Sequence, residues 1–78
     1  MIESVCMPMQ LPEVAEPIVS RLYKSYGDTV DIGEALFSYE SDGALFEEFS
    51  AVRGRVIATL YVSGDSVSGG VPIMIIEF

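Results

Sequence analysis

The sequence has no histidine, no tryptophan and only one cysteine, Cys6. A single cysteine cannot form an intramolecular disulfide, and without histidine there is neither a Cys/His zinc site nor a nucleophile activated by histidine. Cys6 stands in an alternating segment without a cation beside it, so we predict a small buried residue rather than a redox centre. No base or metal-ligand cluster accompanies the carboxylates, and we predict a protein that is not an enzyme and holds no metal.

Positive charge is also scarce, because 4 Lys and Arg residues stand against 12 Asp and Glu, for a net charge of −8. Binding to nucleic acid or to an anionic membrane depends on Lys and Arg, so we expect neither partner. An acidic surface favours basic protein partners or serves only solubility. Long apolar runs and a basic N-terminal segment followed by an apolar one are absent, so we expect a cytoplasmic protein without a membrane span or secretory signal.

Half of the 78 residues are hydrophobic, which is enough for a packed core. A chain of this length forms one domain, and we expect that domain to cover residues 1–78.

The strongest local signal is a hairpin turn near the middle of the chain. Asp-Gly between two apolar runs is typical of a tight β-hairpin, because both residues tolerate a positive φ. We therefore predict an exposed hairpin tip made of Glu40, Ser41, Asp42, Gly43 and Ala44.

The chain also repeats itself, since a shift of 37 positions superposes Gly27-Asp28-Thr29-Val30 on Gly64-Asp65-Ser66-Val67. The same shift brings Gly33 onto Gly70 and Glu40 onto Glu77. One supersecondary unit has been used twice, and two copies are too few for a stacked solenoid.

Alternation and turn residues predict mainly short strands. Three prolines between Pro8 and Pro17 instead predict a surface loop, because proline removes ladder donors. The predicted strands or short extended pieces are Ile2–Met7, Ile18–Tyr26, Thr29–Asp31, Ala35–Glu40, a strand from Ala44, Val56–Val62, Ser66–Val67 and Pro72–Glu77.

Two copies of this unit can bury their apolar faces against each other about a pseudo-two-fold axis. The predicted fold is all-β: two small antiparallel sheets packed as a sandwich or a flattened barrel. The strand ending at Glu77 would then pair with the N-terminal strand, so that the termini lie together at the end opposite the Asp42-Gly43 tip.

These motifs, in this order and over nearly the whole chain, resemble the biotinyl/lipoyl attachment domains, and among them the lipoyl domains of 2-oxo acid dehydrogenase acyltransferases. The resemblance implies the barrel-sandwich hybrid fold, with lipoate as the family's cofactor. It is carried by Met7-Pro8, Gly27-Asp28-Thr29-Val30, Gly33-Glu34, the tip from Glu40 to Ala44, Ser50-Ala51-Val52-Arg53-Gly54, Gly64-Asp65-Ser66-Val67 and Val71-Pro72-Ile73.

The resemblance also implies a lysine between the Asp and the Ala of the tip, where this chain has Gly43. Glycine has no side-chain amine, so we predict that no lipoate or biotin is attached there and that the chain carries no cofactor. The only lysine, Lys24, is predicted at a strand end away from the tip, where a solvated charge is the better interpretation. The methionines that flank the lysine of biotin carriers are absent too.

Several roles remain open for such a chain. It could be a binding or assembly module that uses an acidic surface of Glu40, Asp42, Glu47 and Glu48, with the Pro8–Pro17 loop, which in the family lies near the tip and contributes to partner recognition. It could be a carrier domain of a 2-oxo acid dehydrogenase-type complex inactivated by loss of the lysine, or a structural module excised from a larger protein. The acidic residues could equally be a solvated edge that discourages aggregation.

Two further expectations concern side-chain placement. After the tip, Glu48 shares its parity with Phe46, which predicts either a β-bulge or partial exposure of Glu48. The four tyrosines and four phenylalanines are expected in the core or in cross-strand pairs.

Overall fold

Seven β-strands and no helix form in the computed structural model, which describes residues 1–78. The strands are rich in β-branched and aromatic residues, and the turns between them contain glycines with positive φ. The strands are β1 (Ile2–Cys6), β2 (Ile18–Leu22), β3 (Thr29–Val30), β4 (Ala35–Ser41), β5 (Ala44–Phe49), β6 (Gly54–Thr59) and β7 (Pro72–Glu77).

The strands form two antiparallel sheets, one in the order β1-β7-β6-β3 and the other in the order β2-β4-β5. This confirms the predicted all-β architecture. The N-terminal strand pairs with the last one, and the amino group of Met1 donates a hydrogen bond to the carbonyl of Phe78 at 2.8 Å, so the termini do lie together.

A helix with the length and hydrophobicity needed to cross a membrane is not found.

The irregularities in strand register occur at equivalent positions of the two copies of the repeat. In the β2–β4 ladder the pairing shifts between Val19 and Arg21, and in the β6–β7 ladder it shifts between Val56 and Ala58, each 37 positions later. The two copies therefore share the same bulge as well as the same turns.

The core is built from equivalent positions of the two copies. Of its 11 buried residues, all except Met7 fall into pairs separated by 37 positions. These pairs are Val19 and Val56, Val30 and Val67, Leu36 and Ile73, Phe37 and Met74, and Tyr39 and Ile76.

The two copies also exchange backbone hydrogen bonds. The N–H of Gly27 donates to the carbonyl of Val56 at 2.8 Å, and the N–H of Gly64 donates to the carbonyl of Val19 at 2.7 Å. Each copy thus depends on the other to satisfy the backbone of its Gly-Asp turn.

Two predicted strands are shorter or displaced. The strand predicted over Ile18–Tyr26 ends at Leu22, and the one predicted over Val56–Val62 begins at Gly54 and ends at Thr59. The cause is the same in both copies: Asp28 and Asp65 accept a hydrogen bond from the backbone N–H three residues earlier, at 2.8 and 2.9 Å. These side-chain bonds close a turn that begins before each Gly-Asp pair.

Two smaller predictions need correction. Ser66 makes only an isolated bridge to Ile18, without a strand. Cys6 is half-buried, and the fully buried neighbour is Met7, because the β1–β7 register shifts between Val5 and Cys6.

A bulge does occur in the β4–β5 ladder, but it lies on β4. Ala35 pairs with Phe49 and Phe37 pairs with Glu48, which leaves Leu36 as the extra residue. Glu48 is half-buried. Both predicted features are therefore present, with the additional residue on the strand opposite Glu48.

Candidate functional site

The hairpin tip is a two-residue turn between the paired residues Ser41 and Ala44. Asp42 has φ of 51° and Gly43 has φ of 77°, and positive values at both central positions are typical of the type I′ turn that matches the twist of the flanking strands. A Cβ on Gly43 would meet nothing within 4 Å. The tip is thus an intact, exposed turn that offers no side-chain amine.

The four acidic residues predicted as a partner surface do not form one cluster. Phe46 stacks on Tyr39 with ring centroids 5.4 Å apart, so Phe46 and, two residues on, Glu48 lie on the Tyr39 face of the sheet. Glu40 and Glu47 lie on the opposite face by alternation. Glu47 is also three residue pairs from the turn, about 10 Å along the strand.

Glu48 has an electrostatic effect on the face that it shares with Tyr39. Burial raises the pKa of the Tyr39 hydroxyl, and the negative charge of Glu48 raises it further. The Tyr39 hydroxyl is therefore neutral at physiological pH and lies on the same face as Glu48.

The only lysine is held far from the tip in sequence and already has partners. Lys24 Nζ lies 3.0 Å from a carboxylate oxygen of Glu34 and donates to the carbonyl of Thr29 at 3.3 Å. The hydrogen bond from Lys24 is the main cause that lowers the pKa of Glu34. The Lys24 amine therefore bonds to residues in and beside β3, and not to the hairpin tip.

The Pro8–Pro17 loop lies against the tip, as the resemblance implied. Ser41 Oγ, at the end of β4, donates to Oε1 of Gln10 at 2.5 Å, and Gln10 Nε2 donates to the carbonyl of Pro8 at 3.0 Å. The loop and the hairpin therefore form one continuous surface.

The far end of the loop is attached to the second copy of the repeat. The carboxylate of Glu16 accepts hydrogen bonds from the hydroxyls of Ser66 and Ser68. The bond from Ser68, followed by that from Ser66, lowers the pKa of Glu16. The backbone N–H of Val67 adds a bond to the carbonyl of Pro17 at 3.0 Å.

Exposed apolar side chains near this surface were not predicted. Phe46 and Phe49 on β5 are 46% and 54% exposed, although both were expected in the core or in cross-strand pairs, and only Phe46 makes such a pair. Leu45 is 64% exposed on the same strand. The sequence carried a partial signal, because the adjacent Leu45 and Phe46 cannot both face the core. That β5 is an edge strand follows only from the assembled fold. Other exposed large apolar side chains include Met9, Leu11, Tyr26 and Phe78.

Comparison with known proteins identifies the architecture. The Biotin_lipoyl family model, described as "Biotin-requiring enzyme", matches residues 3–76. The chain is 30% identical over 71 residues to the dihydrolipoyllysine-residue acetyltransferase component of the pyruvate dehydrogenase complex of Haemophilus influenzae. The match covers 88% of this chain but 12% of that protein, so the chain spans about an eighth of its relative's length.

The fold matches a solved structure over almost its full length. The lipoyl domain of the 2-oxoglutarate dehydrogenase complex from Azotobacter vinelandii superposes with a TM-score of 0.85 at 20% identity. The superposition covers 96% of this chain and 95% of that domain. At this identity the likeness is one of fold.

Proposed function

This chain belongs to the biotin/lipoyl domain family, and on that premise we propose that it is a lipoyl-like module that carries no lipoate or biotin and acts by binding other proteins. It is neither a catalyst nor a covalent carrier. Its partners are components of a 2-oxo acid dehydrogenase-type complex, the kind of assembly to which the matched proteins belong.

The observation that carries this proposal is the glycine at the tip. Attachment of lipoate or biotin through an amide needs a side-chain amine, and Gly43 has none. The single lysine of the chain is paired with Glu34 at the edge of another turn, so it is a poor substitute. The turn itself is well formed, which supports the proposal that the hairpin surface is kept for binding although it has no attachment residue.

The binding role is supported by the continuity of the tip with the Pro8–Pro17 loop. The hydrogen bond between Ser41 and Gln10 holds them together, and Glu40 and Asp42 are exposed beside them. The whole chain has a net charge of −8, and these two carboxylates are exposed on this surface, so a basic partner would be attracted to it. The four-residue acidic surface of Glu40, Asp42, Glu47 and Glu48 is better described as the tip, with Glu40 and Asp42, and the β5 strand, with Glu47 and Glu48.

A second candidate function is a former carrier domain whose lysine has been lost or replaced. The open space around Gly43 is compatible with it, because a Cβ at this position would meet no heavy atom within 4 Å. A structural module within a larger protein is the third candidate, and the small share of the relative that the chain covers is compatible with it.

Incubation with a lipoate ligase, ATP and lipoate, followed by intact-mass measurement, tests the absence of attachment. We expect no mass increase for the natural sequence. A gain of one lipoyl group that is lost in a Lys24→Arg variant would overturn the proposal. Modification of a Gly43→Lys variant would instead support the former-carrier candidate.

Binding to purified components of a 2-oxo acid dehydrogenase complex, measured by calorimetry, tests the partner surface. The repeat supplies a matched control, because Glu77 is the counterpart of Glu40. We expect Glu40→Lys and Asp42→Lys to weaken binding and Glu77→Lys to leave it unchanged. If Glu77→Lys weakened binding as much as Glu40→Lys, overall charge rather than the tip would control binding.

A further inference from the structure

One of the two outer strands of the three-stranded sheet, β5, is an open edge with an unusual set of side chains. It pairs with β4 on one side and with no strand on the other. It carries exposed Leu45, Phe46 and Phe49 around the acidic pair Glu47 and Glu48. We infer that β5 accepts an extended, basic and apolar strand of a partner protein, which adds to this sheet by antiparallel pairing.

The backbone of β5 offers hydrogen bonds on its open side. Ser41 and Ala44 flank a two-residue turn and are therefore a hydrogen-bonded pair, and such pairs alternate along an antiparallel ladder. Leu45 and Glu47 consequently direct their N–H and C=O groups away from β4. These are the groups that an incoming strand would bind.

The corresponding edge on the other sheet is different. By the repeat, the counterpart of β5 is β1, which is also an outer strand. Where β5 has Phe46, Glu48 and Phe49, β1 has Glu3, Val5 and Cys6, and these three are half-buried. The large exposed aromatic side chains thus belong to one edge only, which the shared fold does not require.

Charge determines which strand can add to this edge. Natural edges are commonly blocked by lysine, proline or inward-pointing charges, and β5 has neither lysine nor proline. Its charges are Glu47 on the outer face and the half-buried Glu48 on the Tyr39 face, and Glu48 is an inward-pointing charge that an incoming strand has to neutralise. A second copy of this chain, with its own net charge of −8, would place carboxylates against them. A strand with Lys or Arg opposite both glutamates would be attracted instead.

The side-chain pattern of the partner strand follows from the pairing. Opposite Phe49, Glu48, Glu47, Phe46 and Leu45, in that order, it would carry an apolar residue, two basic residues and two apolar residues. The inference rests on the proposed binding role and narrows it to one sheet edge, β5, and to one class of peptide.

The probe is a blocked synthetic peptide with Val-Lys-Lys-Val-Val at its centre, titrated into the isotope-labelled protein and followed by amide chemical shifts. A peptide with Val-Glu-Glu-Val-Val is the charge control. We expect the largest shift changes at Leu45 and Glu47, saturation with the basic peptide, at least tenfold weaker binding of the acidic one, and weaker binding as salt is added.

The edge is blocked by Glu47→Pro, which removes an outward N–H but no bond to β4. Glu47→Gln separates the charge from the backbone effect, and Ser4→Pro makes the equivalent change on β1. Circular dichroism checks that each variant is folded. We expect Glu47→Pro to weaken binding at least tenfold, Glu47→Gln by less, and Ser4→Pro not at all.

Absence of saturable binding, shifts centred on β1 or the loop, or equal effects of Glu47→Pro and Ser4→Pro would overturn the inference. So would self-association of the natural chain that Glu47→Pro abolishes, because the occupant would then be a second copy. The broader proposal fails by a different test, lipoylation of the natural chain. Tip-dependent binding that survives Glu47→Pro would overturn the edge inference alone.

Discussion

Gly43 combines two properties that are separable by mutation. Chemically, it lacks the amine that the family's carrier domains use. Conformationally, it occupies a backbone region, φ of 77°, that L-amino acids other than Asn and Asp rarely adopt. A lysine at this position would have space for its Cβ but would strain the turn.

We expect Gly43→Lys to lower the free energy of unfolding by about 1–2 kcal/mol, the usual cost of left-handed backbone for a residue with a Cβ. Gly43→Asn should cost less, because the asparagine side chain stabilises this conformation locally. Urea denaturation of the three proteins measures the difference. A lysine variant as stable as the natural protein would mean that the tip readily changes to another turn type.

Residues in tight turns were predictable, while the exposure of individual aromatic residues was not. The Asp42-Gly43 turn follows from local chemistry, since few residue pairs tolerate two positive φ values. The exposure of Phe49 depends on β5 being the last strand of its sheet, a property of the assembled fold. A prediction from side-chain type alone therefore placed Phe49 in the core or in a cross-strand pair, although the topology leaves it exposed on an open edge.

At the scale of elements, the Pro8–Pro17 loop is ordered by bonds at both ends. Gln10 connects it to the tip, and Glu16 connects it to the second Gly-Asp turn region. Prolines predicted that this segment would form no strand, but a loop's attachment depends on long-range partners. Neither Ser66 nor Ser68 has a sequence signal that would have paired it with Glu16.

We expect Glu16→Ala to loosen the end of the loop, because two hydroxyl bonds to the carboxylate are lost. The amide of Val67, which donates to Pro17, should exchange with solvent several-fold faster. Glu13→Ala removes an exposed carboxylate of the same loop and is the control. Equal exchange rates at Val67 in the two variants would indicate that the backbone bond alone holds the loop.

The same attachment should depend on pH. The folded pKa of Glu16 is lowered from its ordinary value of 4.5, so its contribution is complete above about that pH and is lost as the pH falls through the lowered value. The natural protein and Glu16→Ala should therefore differ in Val67 exchange at neutral pH and converge in acid.

Strand positions were predicted better than strand ends. Pro72–Glu77 has the predicted bounds, whereas β2 and β6 both stop early. The end of each is determined by an aspartate side chain that bonds to backbone ahead of the turn, so the chain leaves the ladder before its alternation stops. Alternation describes which residues could pair, and side-chain bonds decide where pairing ends.

At the scale of the whole molecule, the repeat predicted more than any single motif did. It implied two related sheets, the pairing of the first strand with the last, and adjacent termini. The structure adds that bulges, core positions and turn-to-strand bonds are also duplicated. The fold therefore rests on the duplicated core and ladder contacts, and Gly43, which makes none of them, lies outside this framework.

This symmetry predicts a circular permutant. Phe78 and Met1 stand where Ser41 and Ala44 stand in the other copy, and the two residues already exchange backbone hydrogen bonds. An Asp-Gly linker from Phe78 to Met1 would therefore reproduce the hairpin turn, and the chain could be opened between Asp42 and Gly43.

We expect this permutant to fold to the same two sheets with a free energy of unfolding within about 1–2 kcal/mol of the parent, because one two-residue turn is exchanged for another and the loop-closure terms nearly cancel. The control uses the same linker but is opened between Ser38 and Tyr39, inside the buried part of β4, and should not fold. Amide spectra and urea denaturation compare the three chains. If both permutants were equally unfolded, the hairpin and the termini would not be interchangeable, and the symmetry would be one of backbone shape without equivalent energetics.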